Sequence, residues 1–527
     1  MAYVQSITAE RDPARASDIA TAALAKGLRH PEIHIARARW LQLNDRNGEA
    51  LDELKQAIAL APHDVEVLQA IGISQIRLGR SANAIAALDA AIRIAPANAQ
   101  THFLKGCAYS AAGEAAPALR AHERAIALQP NHANALAAAA AAGARSGEMA
   151  RARKWAERAL RSAPEHPTAA VALAMCDLHD KEFARAETGL RGLLSTLSTD
   201  DETRALALGL LGDALDGQDQ PDQAFESYTA KNLILRNIYS ARFGGASRLL
   251  NRMEQLISNM NEEPVVSSTP ASSFRPPPRQ HVFLLGFMRS GTTLLEQVLA
   301  THPDVETLEE RETLANLFPP GRDKPERTGL QTADGIAQAR ETYWQRVRAF
   351  GAKPDDKVFI EKQPFNTLNF PLIAHLFPAA KIIFLVRDPR DVILSCFRRH
   401  LEVKPTTFEL LNLADAARFY DRVMHFAMLC RSRLDLNLFE CRYENIVSDF
   451  DSSIRAVCNY LEMPWTVSMR DFDRSARSRT IRSVSSNQVR QGLYPGGVGY
   501  WRRYERHLAP ILPMLQPWVE RFGYPVN

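Results

Sequence analysis

The chain is short of cysteine, of long apolar runs and of any large excess of one charge, and each shortage closes a class of function. Six cysteines (Cys107, Cys176, Cys396, Cys430, Cys441 and Cys458) are spread over 527 residues. They form no C-x-x-C pair and sit beside no histidine at a metal-ligand spacing. The expectation is reduced, mostly buried thiols in a reducing compartment. No apolar run approaches the roughly 18 residues a membrane span needs, and the alanine run 135–142 is too short and too weakly apolar. Met1–Arg11 has no basic segment followed by an apolar one, which predicts no secretory signal. A soluble cytoplasmic protein with no membrane span follows as the expectation. A net charge of +4 leaves anionic ligands open and gives no ground for nucleic acid as a partner.

What the first half does have is a period. Ala16, Ala50, Ala84, Ala118, Ala152 and Ala186 recur every 34 residues, as do Pro62, Pro96, Pro130 and Pro164, and Gly79, Gly113 and Gly147. Three interleaved series with one step mark a repeat array, and this step is that of tetratricopeptide repeats. The glycine lets the chain leave one helix with positive φ. The alanine marks close packing of two helices, and the proline ends the pair because it cannot continue a helix. Val65, Val67, Leu68 and Ile71 give the apolar stripe between these marks. The pattern frays at Asp45, which stands at a glycine position, and slips after residue 190, where Ala224 falls 38 residues beyond Ala186. A short insertion near 195–202 and one further repeat to residue 232 are expected. Such an array either presents a concave surface to a peptide or protein or braces a neighbouring domain.

Residues 233–260 read as helical, and 261–280 as a linker carrying Pro264, Pro270, Pro276, Pro277 and Pro278 among serines. The expected organisation is an all-α tetratricopeptide-repeat solenoid (1–232), a helical segment and linker (233–280), and an α/β P-loop domain with a central parallel sheet (281–527).

That last domain opens with a buried strand, His281–Gly286. The loop Phe287-Met288-Arg289-Ser290-Gly291-Thr292-Thr293 and a helix follow. Strand, glycine-bounded loop and helix are the context in which backbone N–H groups converge on an anion. Gly286-x4-Gly291 fits a nucleotide phosphate loop, but the lysine that neutralises a triphosphate is replaced by Thr292. A phosphosulfate carries less charge there, so Arg289 and backbone donors suffice without a metal. A second strand, Lys381–Val386, leads into Arg387-Asp388-Pro389-Arg390-Asp391 and a helix bearing Ser395. Arg387 and Ser395 are placed to clamp one phosphate. The rival reading takes Asp388 as a magnesium ligand.

Arg289-Ser290-Gly291-Thr292-Thr293-Leu294-Leu295 with His302-Pro303-Asp304-Val305 resembles the 5′-phosphosulfate loop of sulfotransferases. The likeness is to tyrosylprotein sulfotransferases and bacterial repeat-fused sulfotransferases, and it spans most of residues 281–505. The resemblance implies 3′-phosphoadenosine 5′-phosphosulfate as donor, with no metal. It puts Arg289 and Ser290–Thr293 on the 5′-phosphosulfate, Arg387 and Ser395 on the 3′-phosphate, and Tyr443 of Cys441-Arg442-Tyr443-Glu444-Asn445 beside the nucleotide. It also implies Lys362 of Glu361-Lys362-Gln363-Pro364 near the bridging oxygen, Ser485 near the sulfate, and Glu310, with Glu309 as fallback, as the general base. Two positions depart from the family: Glu312 stands for an arginine and Tyr500 for a basic residue. Arg474, Arg477, Arg479, Arg482 and Arg490 make the stretch around Ser485 basic.

The reading is a sulfotransferase acting on an acceptor hydroxyl, with a protein tyrosine suggested by the likeness. A kinase on the same fold predicts a phosphate-loop lysine, which is missing. A repeat scaffold with a vestigial nucleotide domain predicts damaged site positions, whereas Arg289, Glu310, Lys362, Arg387 and Ser395 are intact.

Overall fold

The computed structural model describes residues 2–197, 201–244, 248–262, 278–315, 317, 332–478, 489 and 492–526. The chain divides into two compact units, Met1–Ser198 and Thr199–Asn527.

In the first unit the described residues are helical from Ala2–Ala9 to Phe183–Thr196. All six alanines of the 34-residue series are buried. A larger side chain there would push two helices apart at a cost of about 1–3 kcal/mol. Asp45, Gly79, Gly113, Gly147 and Lys181, one at each 34-residue step, all take φ between 55° and 89°. The turn is therefore imposed by the packing even where glycine is absent. Two residues past each recurring proline stands a helix cap. Asp64 accepts from the Glu66 and Val67 N–H groups, Asn98 from Thr101 N–H and His132 Nδ1 from Ala135 N–H. Side-chain bonds then link one hairpin to the next at a constant separation of 32 residues. They join Gln69 to Thr101 (2.7 Å), Gln100 to His132 (3.0 Å) and Asn134 to His166 (2.9 Å).

Exposed Lys181 holds φ at 62°. The left-handed conformation costs a side-chain-bearing residue about 1–2 kcal/mol, and glycine's extra chain entropy offsets about 0.5–1 of that. Lys181→Gly should therefore raise stability in chemical denaturation by up to about 1 kcal/mol. A loss of stability would show that this turn is not a strained copy of its glycine-bearing neighbours.

The second unit opens with one more hairpin, Glu202–Gly217 and Pro221–Phe243, turning at Asp219 (φ 61°) beside buried Ala224. The boundary expected after residue 232 falls inside its second helix. Ile234 and Leu235 continue that helix's buried face and pack with Phe408 and Leu411. The helix Arg248–Glu262 follows, and most of the expected proline-rich linker lies outside the described residues.

Five parallel strands form the core: β1 (Gln280–Gly286), β2 (Val305–Glu309), β3 (Val358–Lys362), β4 (Lys381–Val386) and β5 (Asn437–Arg442), in the order β2-β3-β1-β4-β5. The apolar runs of β1 and β4 are what strands covered on both faces require. Val282, Leu284 and Ile383 pack with Leu295 and Val298 on one face. Phe283 and His281 meet Tyr343 and Phe377 on the other. The acidic stretch after the phosphate loop begins in an edge strand, Val305–Glu309, paired with β3. The chain leaves β1 toward β2 and leaves β4 toward β5, so the crevice between the ends of β1 and β4 is the switch point where open α/β sheets bind ligands. No described helix is long and apolar enough to cross a membrane.

Candidate active site

The phosphate loop leaves β1 at Gly286 and enters the helix Thr292–Leu299, all eight residues of which are buried. Gly291 caps that helix at φ 100°, and a Cβ there would lie 2.4 Å from Cδ2 of Tyr443. Glycine is thus required both by conformation and by the ring packed on the loop. Arg289 also sits in the left-handed region, at φ 69°. Its Nε donates to Ser395 Oγ at 3.0 Å. Arg387, at the end of β4, donates to the Arg289 carbonyl (3.1 Å) and the Gly497 carbonyl (2.5 Å), with its guanidinium 4.6 Å from the Tyr443 ring. The Arg387 Nε is buried and has no hydrogen-bond partner among the described residues.

Arg289, Gly291, Thr293, Arg387, Ser395 and Tyr443 therefore line one cleft, together with Arg398, Arg399, Asp216, Asp391 and Tyr500. Burial, with Arg399 and Arg387 alongside, pulls the Arg289 pKa down to about 9. A cluster of crowded guanidinium groups with a buried N–H to spare fits an anionic group, and a nucleotide phosphate would relieve the repulsion. Arg289 and Ser395, expected at opposite ends of a donor, meet here. Asp388 is already committed: it caps the helix Pro389–Arg398 and takes both Nε and Nη2 of buried Arg390 at 2.9 and 2.7 Å. That geometry speaks against Asp388 as a magnesium ligand.

Behind the loop, β3 ends at Lys362, which is fully buried. Its Nζ lies 2.6 Å from Glu310, 3.2 Å from Glu309, 3.5 Å from Glu296 and 3.4 Å from Thr293 Oγ1. Glu310 follows β2 in the left-handed region at φ 45°, and its N–H donates to the Lys362 carbonyl at 2.8 Å. One sheet edge thus brings together Glu309, Glu310, Lys362 and the loop threonine. Ser485 lies outside the described residues. Glu312 is exposed.

Residues 281–467 match the family model described as sulfotransferase family, and residues 65–98 match a tetratricopeptide repeat. The second unit carries a sulfotransferase-family domain.

Among curated proteins the chain is 26% identical over 354 residues to an uncharacterized protein of Aquifex aeolicus, covering 64% of this chain and 44% of that one. It therefore spans less than half of that relative. It is 25% identical over 262 residues to protein-tyrosine sulfotransferase 1 of Danio rerio, covering 46% of this chain and 72% of that protein. The similarity to protein-tyrosine sulfotransferases is distant. Among solved structures, the sulfotransferase domain of the Synechococcus PCC 7002 olefin synthase aligns over 50% of this chain and all of that one, at 18% identity and a TM-score of 0.34.

Two features of the sulfotransferase domain escaped sequence reasoning. Tyr500, the departure from a basic residue, gives its hydroxyl to Asp216 and lies 4.7 Å from the Arg398 guanidinium, so a cation stands beside the position from another helix. Glu296 is the second. It is a carboxylate in the middle of a wholly buried helix, and a charge at a core position of Leu294–Leu299 was the signal that it has a partner. Neither of its oxygens has a hydrogen-bond partner among the described residues, apart from the 3.5 Å approach of Lys362. One ammonium cannot neutralise three carboxylates. Lys362 stays charged, held well above the usual lysine range by its acidic neighbours against the opposing effect of burial, and Glu296 gives way. Burial raises Glu296 from an ordinary 4.5 to about 8.

A carboxyl whose folded pKa exceeds its unfolded one contributes stability fully below the unfolded value, and that stability is lost as pH rises through the folded value. Glu296→Gln keeps the shape and removes the titration. It should therefore gain on wild type by on the order of 1 kcal/mol per pH unit between about pH 5 and 8 in denaturation experiments. A difference that stays flat with pH would mean that Glu296 is ionised in the folded protein.

Proposed function

We propose that the domain transfers a sulfuryl group from 3′-phosphoadenosine 5′-phosphosulfate to an acceptor hydroxyl. The observation that carries this reading is the Lys362–Glu310 pair at 2.6 Å, one threonine away from the arginine-lined cleft at the switch point of the sheet. Arg289, Arg387 and Ser395 form the phosphate-holding cluster, and Tyr443 packs beside it. Bound donor supplies an activated sulfuryl group on a phosphate leaving group.

The residues of the chain supply the rest. Glu310 takes the proton of the acceptor hydroxyl as its oxygen bonds to sulfur. Lys362 donates to the oxygen whose bond to sulfur breaks, where negative charge grows. In the resting geometry Lys362 and Glu310 engage each other, so each must be released toward its own partner. Glu309 and Glu296 remain on the ammonium and keep it placed while Glu310 turns to the acceptor. Ser485 would serve the sulfate oxygens, as the resemblance implies.

A protein tyrosine is the acceptor we favour. The relatives at 24–25% identity are named protein-tyrosine sulfotransferases, and tetratricopeptide repeats are suited to holding a peptide. A cytoplasmic location belongs to the same reading, supported by six free cysteines of which five are buried.

The reading is tested by metal-free calorimetric titration with 3′-phosphoadenosine 5′-phosphate. Wild type should bind in the micromolar range, and Arg387→Ala should lose about 1.5–3 kcal/mol, as for a hydrogen bond to a charged group. Folded wild type that binds nothing, with or without Mg²⁺, would overturn the assignment and favour a repeat scaffold. Glu310→Gln should bind the same nucleotide within a few-fold of wild type while turnover on a tyrosine peptide falls about 10²–10⁴-fold. Unchanged turnover would remove Glu310 from the base role.

A further inference from the structure

The hairpin Glu202–Gly217/Pro221–Phe243 lies outside the sulfotransferase-family match, yet its polar side chains converge on the helix that carries Ser395. Lys231, fully buried, donates from Nζ to the carbonyls of Phe397 (2.9 Å), Arg398 (3.1 Å) and Arg399 (2.9 Å). Asn232 adds a bond to the Phe397 carbonyl at 3.0 Å. Carbonyls at a helix C-terminus have no partner within the helix, and an ammonium suits both their geometry and the helix dipole. Three N–H groups meet three carbonyls, so this lysine is fully used.

A second contact works from the other helix of the hairpin. Asp216 accepts from Arg398 Nη2 at 2.5 Å, from Tyr504 OH at 2.7 Å and from Tyr500 OH. The Arg398 guanidinium lies 4.7 Å from the Tyr500 ring and 5.4 Å from the Tyr228 ring. Asp216, Arg398 and Tyr500 line the same cleft as Arg387 and Ser395. The clamped helix also fixes the opposite wall. Its Asp391 takes the N–H groups of Gly499 (2.7 Å) and Trp501 (2.8 Å), holding the turn whose Gly497 carbonyl receives Arg387. The hairpin packs Ile234 and Leu235 on Phe408 and Leu411, as a brace would. It also buries a lysine and an aspartate where the helix carrying Ser395 ends.

We propose that the Glu202–Phe243 hairpin is part of the donor pocket, with Asp216 and Lys231 as positioning residues that hold Arg398, Tyr500 and the Ser395 helix in register for an anionic nucleotide. The proposal rests on the donor-site reading above. It assigns pocket residues to a segment that lies before the phosphate loop in the chain.

The test titrates 3′-phosphoadenosine 5′-phosphate into the full-length chain, with thermal unfolding of each variant recorded beside it. Asp216→Asn and Lys231→Met, compared at a temperature where each is folded, should each weaken binding about tenfold or more. Arg398→Ala should do the same, and Asp216→Asn added to Arg398→Ala should cost little more, since the two act as one unit. Arg506→Ala removes an exposed ion pair to Asp222 on the same hairpin and should leave affinity unchanged. Variants that unfold earlier but bind with wild-type affinity would overturn the hairpin's role and leave the donor reading standing. Folded wild type that does not bind the nucleotide would take both down.

Discussion

The charged side chains of the candidate site are arranged around the crevice at the carboxyl ends of β1 and β4. β1 and β4 run side by side with Gly286 opposite Leu385, and their outgoing connections depart in opposite directions. The backbone groups at those two ends have no further ladder to join, so they face a crevice lined by the phosphate loop and the Arg387 segment. Cations gather there: Arg289 and Arg387 from the two loops, Arg398 and Arg399 from the helix between them and β5. Burying and crowding them costs free energy in the protein alone: burial first, then Arg399 and Arg387 alongside, lower the Arg289 pKa. An anionic ligand recovers that cost on binding. The neighbouring anions are engaged elsewhere, Asp388 with Arg390 and Asp391 with two backbone N–H groups.

One strand away the charge balance is reversed. Lys362 is a single buried cation among three carboxylates, and fixed geometry there matters more than net attraction. A buried ion pair in isolation contributes little to stability, because desolvation offsets Coulomb attraction. Retaining such a cluster makes chemical sense where one carboxylate must be able to leave. Glu309 and Glu296 approach the ammonium from a strand end and a helix, while Glu310 reaches it from a residue at positive φ. Strain of this kind persists where surrounding structure over-determines it, and two residues at positive φ, Arg289 and Glu310, belong to the candidate site.

Periodicity and strand–loop–helix context made the fold legible from sequence. The 34-residue alanine series located six buried packing points, and the runs His281–Gly286 and Lys381–Val386 located adjacent strands. Of the candidate site, the short motifs located residues that the fold brings together: Arg289, Gly291, Thr293, Arg387, Ser395 and Tyr443 line one cleft, and Lys362 meets Glu310. What could not be read comes from contacts between distant segments. Asp216 and Lys231 look like ordinary polar residues of a repeat, and only the fold brings them to Arg398 and the carbonyls after Phe397, more than 160 residues on. The expected boundary at 232 lies inside the helix Pro221–Phe243 for a related reason. A repeat period marks where a repeat ends, but says nothing of a helix that continues because Phe408 and Leu411 cover its next apolar turn.

That continuation bears on how the hairpin is held within the second unit. A repeat array is stabilised by nearest-neighbour contacts, so its last unit must either be capped with polar groups or be covered. Here the hairpin Glu202–Phe243 is covered by the Pro389–Arg398 helix and by Phe408 and Leu411, through polar contacts at the helix end, aromatic ones around Arg398 and apolar ones at Ile234 and Leu235. Buried polar groups tolerate small displacements poorly, because each lost partner leaves a desolvated donor or acceptor behind. A contact built this way, inside the second unit, is specific in register as well as in place. It ties the hairpin to a cleft lined by Ser395, which lies one helical turn from the clamped end.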